Sequence, residues 1–189
     1  MDTGVIIAIV VILAILAIAG VWFFTQKKRE DDLKRDFGPE YDREIQRTGS
    51  KSDAQKELEE RRKRVKSYTL VDLSAEDQRK YSEEWRLIEA HFVDDPGGAV
   101  KDADGMITRL MTARGYPMSD FETQAVDISV DHPEVVQNYR SAHIIVGEHD
   151  GGRASTEALR QAMMHFRAVA DDLLGTSSAL GANATRKAS

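Results

Sequence analysis

The chain of 189 residues contains no cysteine. Disulfide bonds, thiolate metal sites and thiol nucleophiles are therefore excluded, while both redox compartments stay open to a protein without thiols. The chain also lacks an excess of positive charge, since 26 Lys and Arg residues stand against 32 Asp and Glu residues, a formal net charge of −6. Nucleic-acid binding needs a net basic face that releases counterions from phosphates. We therefore predict no nucleic-acid partner.

Sequence motifs that carry known chemistry are missing as well. The glycine pairs at 97–98 and 151–152 lack the spaced glycines and the lysine of a phosphate-binding loop. No two histidines stand three or four residues apart, and His143 with His149 could gather a metal only from one flexible loop. No glycine elbow presents a serine nucleophile. We predict no catalytic residue, no metal site and no cofactor, and we favour a non-enzymatic protein.

A long apolar run occupies the amino-terminal end of the chain. The twenty residues from Val5 to Phe24 are all Val, Ile, Leu, Ala, Phe, Trp or Gly. A helix of that length spans about 30 Å, which is the thickness of a bilayer core. Its fourteen Ile, Leu, Val and Phe residues sum to about −4 to −8 kcal/mol on a membrane-insertion scale. We predict a single transmembrane helix and assign residues 1–26 to a membrane anchor.

The alternative to an anchor is a cleaved signal peptide, for which residues 17–19 offer a small-x-small site. A signal peptide has a basic leader and a polar exit, whereas this run follows Asp2 and ends in aromatic residues. Lys27, Lys28 and Arg29 come directly after it. Basic residues that flank a span stay on the cytoplasmic side. We therefore predict a single-pass protein of the cell membrane with its carboxyl-terminal domain in the cytoplasm.

Residues 27–72 are predicted to form a charged juxtamembrane stalk. Residues 27–66 carry fourteen basic and eleven acidic side chains, while the rest of the chain beyond them carries twelve and twenty. The helix that leaves the membrane should bend at residues 37–39, because glycine and proline end helices. A second helix should run from Asp53 to Lys66, capped by Ser50 or Ser52.

The second predicted helix has few apolar positions, namely Ala54, Leu58 and Val65. Such a thin stripe indicates either a solvated helix or one that packs along a narrow seam. Opposite charges recur at the stabilising four-residue spacing, which favours a free-standing stalk. The three pairs are Glu57 with Arg61, Glu59 with Lys63 and Glu60 with Arg64.

Two basic runs of the stalk are candidates for contact with anionic lipid. Lysine and arginine close to a bilayer are attracted to anionic headgroups by about 1 kcal/mol each. The alternative is that the second run is neutralised within an ion-paired stalk. The candidate residues are Lys27, Lys28, Arg29, Arg61, Arg62, Lys63, Arg64 and Lys66.

Residues 73–174 are predicted to form a bundle of about five helices, so the fold class is all-α. Apolar residues recur there at helical spacing in five successive segments, each of which follows a capping residue or a Gly or Pro break. The predicted core positions are Tyr81, Trp85, Ile88 and Phe92; Val100, Ala103, Ile107 and Leu110; Phe121, Ala125 and Ile128; Val135, Tyr139, Ala142 and Val146; and Leu159, Met163, Phe166, Ala170 and Leu173.

Three further interpretations concern this domain. Residues 125–130 alternate like a strand, but no other segment offers a partner strand, so a helix is favoured. The stripe of Tyr81, Trp85 and Phe92 is more typical of a core than of the wall of a ligand pocket. Residues 175–189 consist of small and polar types that cannot bury a core, and we predict a disordered tail.

A set of short segments is met in order along the chain, namely Phe37–Asp42, Trp85, Phe92–Asp94, Arg114–Pro117, Ser129–Pro133, Tyr139–Arg140 and Thr156–Gln161. It resembles a bacterial family of small proteins with one amino-terminal membrane span, over residues 30–174. The resemblance implies a bacterial origin and the limits of the domain, and it transfers no functional residue. Some members are described as secreted, which disagrees with our uncleaved anchor.

Two hypotheses of function follow from the sequence. The first is a membrane-anchored, non-enzymatic adaptor whose helical domain binds another protein or a second copy of itself, and Gly4 with Ala8 offers one small-xxx-small step for association within the span. The second is a small-molecule-binding or catalytic module with a pocket between the helices, for which the sequence names no convergent acid, base or nucleophile.

Overall fold

The computed structural model describes residues 3–175, and in the first helix it describes side chains from residue 12 onward. Every regular element in that part of the chain is helical, which confirms the predicted all-α class. The described residues divide into two compact units, one that ends at Leu58 and one that begins at Glu59. The helices are α1 Thr3–Phe37, α2 Pro39–Thr48, α3 Lys51–Lys66, α4 Ala75–Asp94, α5 Pro96–Ala113, α6 Phe121–Asp131, α7 Val136–Asp150 and α8 Thr156–Leu173.

The predicted membrane span falls within α1. The side chains of residues 5–11, its first third, lie outside the described residues. Among the residues whose side chains are described, no helical stretch has both the length and the apolar character needed to cross a bilayer.

The first unit contains a helix that the sequence did not reveal. As predicted, α1 ends at Phe37, and Gly38 makes the turn with a φ of 48°. Pro39 then opens α2, where its fixed φ and missing N–H suit the first helical position. Tyr41 is buried at 1% exposure on this helix. Residues 39–48 contain only two large apolar side chains, at positions 41 and 45, so the sequence pattern does not predict this helix.

The third helix begins as predicted, with Ser50 Oγ accepting a hydrogen bond from the Asp53 N–H at 3.3 Å. Its three apolar side chains are all buried: Ala54 and Leu58 at 0% exposure and Val65 at 3%. The interpretation of α3 as a free-standing, solvated stalk is therefore wrong. The thin stripe is a packing seam, and Val65 belongs to the core of the second unit.

The second unit contains the five predicted bundle helices, α4 to α8. α5 packs against both α4 and α8, and α8 packs against α7. Nearly all the predicted core positions are buried, while Phe92 and Phe121 are half-buried against the same core. Residues 125–130 are helical, as we favoured. The predicted tail lies outside the described residues beyond residue 175.

Two residues of the second unit whose types often mark helix boundaries, Pro133 and Gly147, do not mark them here. Pro133 precedes α7 in a turn and does not stand in its first helical turn, because the helix begins at Val136. Gly147 lies inside α7, which continues to Asp150. An isolated glycine weakens a helix by only about 1 kcal/mol, and tertiary packing exceeds that penalty here.

Ser74 is a capping residue whose loss should be measurable. Its Oγ accepts a hydrogen bond from the Asp77 N–H at 3.0 Å at the start of α4. We expect Ser74→Ala to destabilise the protein by about 1 kcal/mol, which lowers Tm by about 2–4 °C in a chain of this size. Ser82→Ala, in the middle of the same helix, should leave Tm within about 1 °C because alanine favours helix interiors. Equal effects of the two substitutions in thermal unfolding by circular dichroism would contradict the capping role.

Candidate functional surfaces

α1 carries large apolar side chains that no described residue covers. Exposure ranges from 55% at Ile12 to 71% at Phe24. Large uncovered apolar surface marks contact with lipid or with another protein. The nine exposed residues are Ile12, Leu13, Ile15, Leu16, Ile18, Val21, Trp22, Phe23 and Phe24.

A cleft of 620 Å³ lies in the first unit between α1 and the start of α3. α1 supplies residues at positions 22, 23, 26, 27 and 30, a spacing that places them on one helical face. α3 supplies positions 51, 52 and 55. The lining is aromatic at one end, with Trp22 and Phe23, and cationic beyond it, with Lys27 and Lys51. We call this site the α1/α3 cleft.

Glu30 joins the two walls of the α1/α3 cleft. Its carboxylate accepts hydrogen bonds from two ammonium groups: Oε1 from Lys34 Nζ at 2.8 Å and Oε2 from Lys51 Nζ at 2.6 Å. Hydrogen bonds from Lys34 and then Lys51 lower the pKa of Glu30 below its usual value. On α3, Gln55 Nε2 donates to the Tyr41 hydroxyl at 3.1 Å. One carboxylate thus stands against two bound lysines, and Lys27 adds a third positive charge nearby.

The residues predicted to contact lipid fall into both compact units. Those at 27–29 belong to the first unit and those at 61–66 to the second. Arg61 is only 3% exposed and Arg62 is half-buried. Both α3 positions therefore have less access to a lipid surface than the sequence suggested. The predicted residues with exposed positions are Lys27, Lys28, Arg29, Lys63, Arg64 and Lys66.

Arg64 has a partner that sequence spacing did not indicate. Its guanidinium donates to Asp127 Oδ1 on α6 through Nε at 2.9 Å and Nη2 at 2.6 Å, in place of the predicted pair with Glu60. The Tyr68 hydroxyl donates to the other oxygen of Asp127 at 2.7 Å. The Asp127 side chain is 4% exposed. These bonds hold the end of α3 and the following turn against α6.

A groove of 330 Å³ runs between α4 and α8 in the second unit. Its floor contains Trp85, which is 2% exposed, and its rim contains Met164, which is 59% exposed. The lining is mostly apolar with charged residues at the edges. The lining residues are Trp85, Glu89, Phe92, Arg160, Met163, Met164 and Arg167. We call this site the α4/α8 groove.

Arg167 is fixed above the floor of the α4/α8 groove. Its guanidinium carbon lies 5.6 Å from the centroid of the Trp85 ring, a cation–π distance. Nε donates to Asp171 at 2.8 Å and Nη1 to Glu89 at 3.3 Å. The bond to Asp171 is the main cause of a raised pKa for Arg167. The indole Nε1 of Trp85 is buried and has no hydrogen-bond partner among the described residues.

The two histidines considered for a metal site pack separately on α7. His143 stacks flat on Phe121, with ring centroids 3.5 Å apart, and the space beside Gly97 is filled by the His149 ring. Within the described part of the chain, no three His, Asp or Glu side chains come close enough to hold a metal ion. Asp104 lies 3.9 Å from His143 Nδ1, and burial raises the pKa of Asp104.

The sequence favoured a core role for the aromatic stripe of α4, and two of its members, Trp85 and Phe92, line the α4/α8 groove. It gave no role to Met164, Arg160 or Arg167. The sequence signal that could have indicated this surface is the pair Met163 and Met164, which lies between two arginines on α8. Comparison with known proteins does not assign the chain to a family. The resemblance to a bacterial single-span family therefore stays a prediction. No protein-family model matches the chain, no curated protein is significantly similar to it, and neither is any solved structure.

Proposed function

We propose that this chain is a membrane-anchored, non-enzymatic interaction protein whose helical domain docks an apolar segment of a protein partner in the α4/α8 groove. The composition of that groove carries the proposal. Tryptophan, phenylalanine, methionine and arginine are the residue types enriched in the cores of protein interfaces. All four types meet here, in a lining with two arginines and one glutamate.

The chemistry of the groove selects the kind of partner segment. Methionine is flexible and polarisable, which suits it to bind apolar side chains of varied shape. Arg160 and Arg167 keep about half of their side-chain surface exposed. Both arginines are already paired with carboxylates of α8 or α4. The segment we expect therefore presents an apolar side chain to Trp85 and Met164, at the centre of a groove whose edges are charged but balanced.

Membrane attachment is supported by the uncovered apolar side chains of α1 and by the apolar run to which they belong. The basic residues that follow the run favour a cytoplasmic helical domain. Two reporters fused to the carboxyl terminus, one active only in the cytoplasm and one only outside it, test this orientation. We expect activity from the cytoplasmic reporter alone.

Site-specific photo-crosslinking tests the docking proposal. A benzophenone amino acid at Met164, in the full-length chain in native membranes, should yield one discrete protein adduct. The matched control is Ile144 on α7, which is 64% exposed and does not line the groove. We expect no adduct from that position. Adducts of equal yield from both positions, or from neither, would remove the groove as the docking site.

Affinity for the captured partner should depend on the methionine itself. We expect Met164→Ala to weaken binding about fivefold or more, because truncation of a residue central to an interface costs at least about 1 kcal/mol. Ile144→Ala removes a similar exposed apolar side chain and should leave the Kd unchanged. Titration of each full-length variant in detergent with the purified partner measures both values. A similar change for both variants would contradict the assignment.

Small-molecule binding is the second candidate function, and the volume of the groove favours it. Pockets for small ligands start at about 300 Å³, and the α4/α8 groove has 330 Å³. A ligand that binds the native state raises stability by about 2.7 kcal/mol at one hundred times its Kd. A thermal shift of the full-length chain with a metabolite, abolished by Met164→Ala, would support this function over docking.

A further inference from the structure

We infer that the α1/α3 cleft binds the phosphate headgroup of an anionic phospholipid at the membrane surface. This inference rests on the proposed membrane anchor, since only an inserted α1 brings the cleft to the level of the headgroups. It assigns a specific lipid-binding site to the protein, in addition to the general attraction of its basic residues to an anionic membrane surface. The phosphate lies between Lys27 and Lys51, and the glycerol and upper acyl chains contact Trp22 and Phe23.

The order of side chains along α1 matches the layers of a bilayer surface. Trp22 and Phe23 are 63% and 67% exposed and follow the apolar run directly. Aromatic residues at the end of a span favour the boundary between acyl chains and headgroups. Lys27 stands one helical turn beyond Phe23 on the same face. The cleft therefore presents aromatic surface where chains begin and positive charge where phosphates lie.

The second cationic wall comes from α3 and is held in place. Lys51 keeps 55% of its side chain exposed while its Nζ bonds Glu30. Because Lys34 also bonds Glu30, that carboxylate does not cancel the charge of Lys51 fully. Among the charged residues that line the cleft, Lys27 and Lys51 outnumber Glu30. A phosphate between Lys27 and Lys51 makes charge-assisted hydrogen bonds with ammonium groups that are already positioned.

The volume and the neighbouring side chains fit a headgroup better than a bare anion. The cleft has 620 Å³, and its lining includes Gln26, Ser52 and Gln55 in addition to the charged residues. Amide and hydroxyl groups hydrogen-bond the hydroxyls of a polyol headgroup as well as phosphate oxygens. A free phosphate ion would leave the aromatic end without a contact. We therefore assign the site to a phosphoglycerol lipid.

Competition between lipids tests this inference on the full-length chain. The protein is reconstituted into mixed vesicles of phosphatidylglycerol and phosphatidylcholine in which one of the two lipids carries brominated acyl chains. Quenching of Trp22 then reports which lipid occupies its surroundings, while Trp85, buried at 2% exposure, adds a constant background. We expect the wild-type chain to prefer phosphatidylglycerol by about fivefold for each lysine that contacts it.

Two double variants distinguish specific lipid binding in the cleft from general electrostatic attraction to the vesicle surface. Lys27→Gln/Lys51→Gln removes both cationic walls and should abolish the preference. Lys28→Gln/Lys56→Gln removes the same charge from the same two helices at exposed positions that do not line the cleft. That variant should keep most of the preference. An equal loss in both variants would overturn the inference, because it would indicate the field of the whole surface.

Two further outcomes are distinguishable from these. If excess inorganic phosphate abolishes the preference while chloride of equal ionic strength does not, the cleft recognises free phosphate and the lipid assignment is wrong. If the protein does not float with the vesicles at all, the proposed anchor fails and the cleft inference fails with it. Flotation without a lipid preference overturns the cleft alone.

Discussion

Arginine at both Leu13 and Leu16 is expected to disable the proposed membrane anchor and to release the chain from the membrane. Each leucine contributes about −0.5 kcal/mol to insertion and each arginine near the middle of a span costs about 3 kcal/mol, so the double variant loses roughly 7 kcal/mol. That loss matches the whole favourable sum of about −4 to −8 kcal/mol for the apolar run. Both leucines are about 60% exposed on α1. After alkaline carbonate extraction, the wild-type chain should remain in the pellet and the variant in the supernatant.

The matched control places the same two charges elsewhere. Leu87 and Ile144 are each 64% exposed in the second unit. Leu87→Arg/Ile144→Arg changes the net charge equally and should leave the chain in the pellet. Release of the wild-type chain itself by carbonate, or retention of the Leu13→Arg/Leu16→Arg variant, would contradict the membrane anchor. A mature amino terminus near residue 20 would contradict it too, because the span would then be cleaved away.

Local sequence patterns were sufficient to predict three features of the fold. These are the all-α class, the number of helices in the bundle and most of the core residues of the bundle. Ser74 and Asp120 cap helices where their side chains reach the third following N–H, and the sequence shows both spacings directly. Apolar stripes at helical spacing placed Trp85, Ile107 and Phe166 in the core, where all three are buried. Such signals lie within one or two helical turns of each other.

α2 and the packing of α3 were not predictable from the same signals. α2 has ten residues and buries Tyr41 together with the polar residues Glu40 and Glu44. A pattern of apolar residues cannot reveal a helix whose buried side chains are mostly glutamates. In α3 the charges at four-residue spacing indicated a solvated helix, while the three buried apolar side chains indicated a seam. Helix propensity and ion pairing within one helix contribute less free energy than burial of apolar side chains against other helices. The buried apolar side chains therefore decide how α3 packs.

Both candidate surfaces depend on contacts between segments far apart in sequence. Lys51 and Glu30 are held together by the fold of the first unit, and Arg167 reaches Glu89 from another helix. No spacing rule relates such residues. The sequence supplies the chemical types, such as the basic residues after the apolar run. It does not show that Lys27 shares a cleft with Lys51 while Arg61 is buried.

Loss of the buried carboxylate of Asp127 should destabilise the second unit strongly. Asp127→Ala removes three hydrogen bonds, two from Arg64 and one from Tyr68, at a side chain that is 4% exposed. Removal of one partner of a buried ion pair costs about 3–5 kcal/mol. Because the Arg64 side chain is 42% exposed and water can solvate it afterwards, we expect a value near the lower limit, about 3 kcal/mol.

Urea unfolding of the full-length chain in a non-ionic detergent, followed by tryptophan fluorescence, measures this loss. The matched control is Glu83→Ala, which breaks an exposed pair with Arg86 and should change the free energy of unfolding by less than about 1 kcal/mol. A cycle with Arg64→Ala should give a coupling energy above about 1 kcal/mol between Arg64 and Asp127. A coupling near zero would mean that Arg64 is free for lipid contact, as the sequence suggested. Strong coupling would show that Arg64 holds the end of α3 on α6, and the proposed lipid contact would then involve the lysines of the α1/α3 cleft.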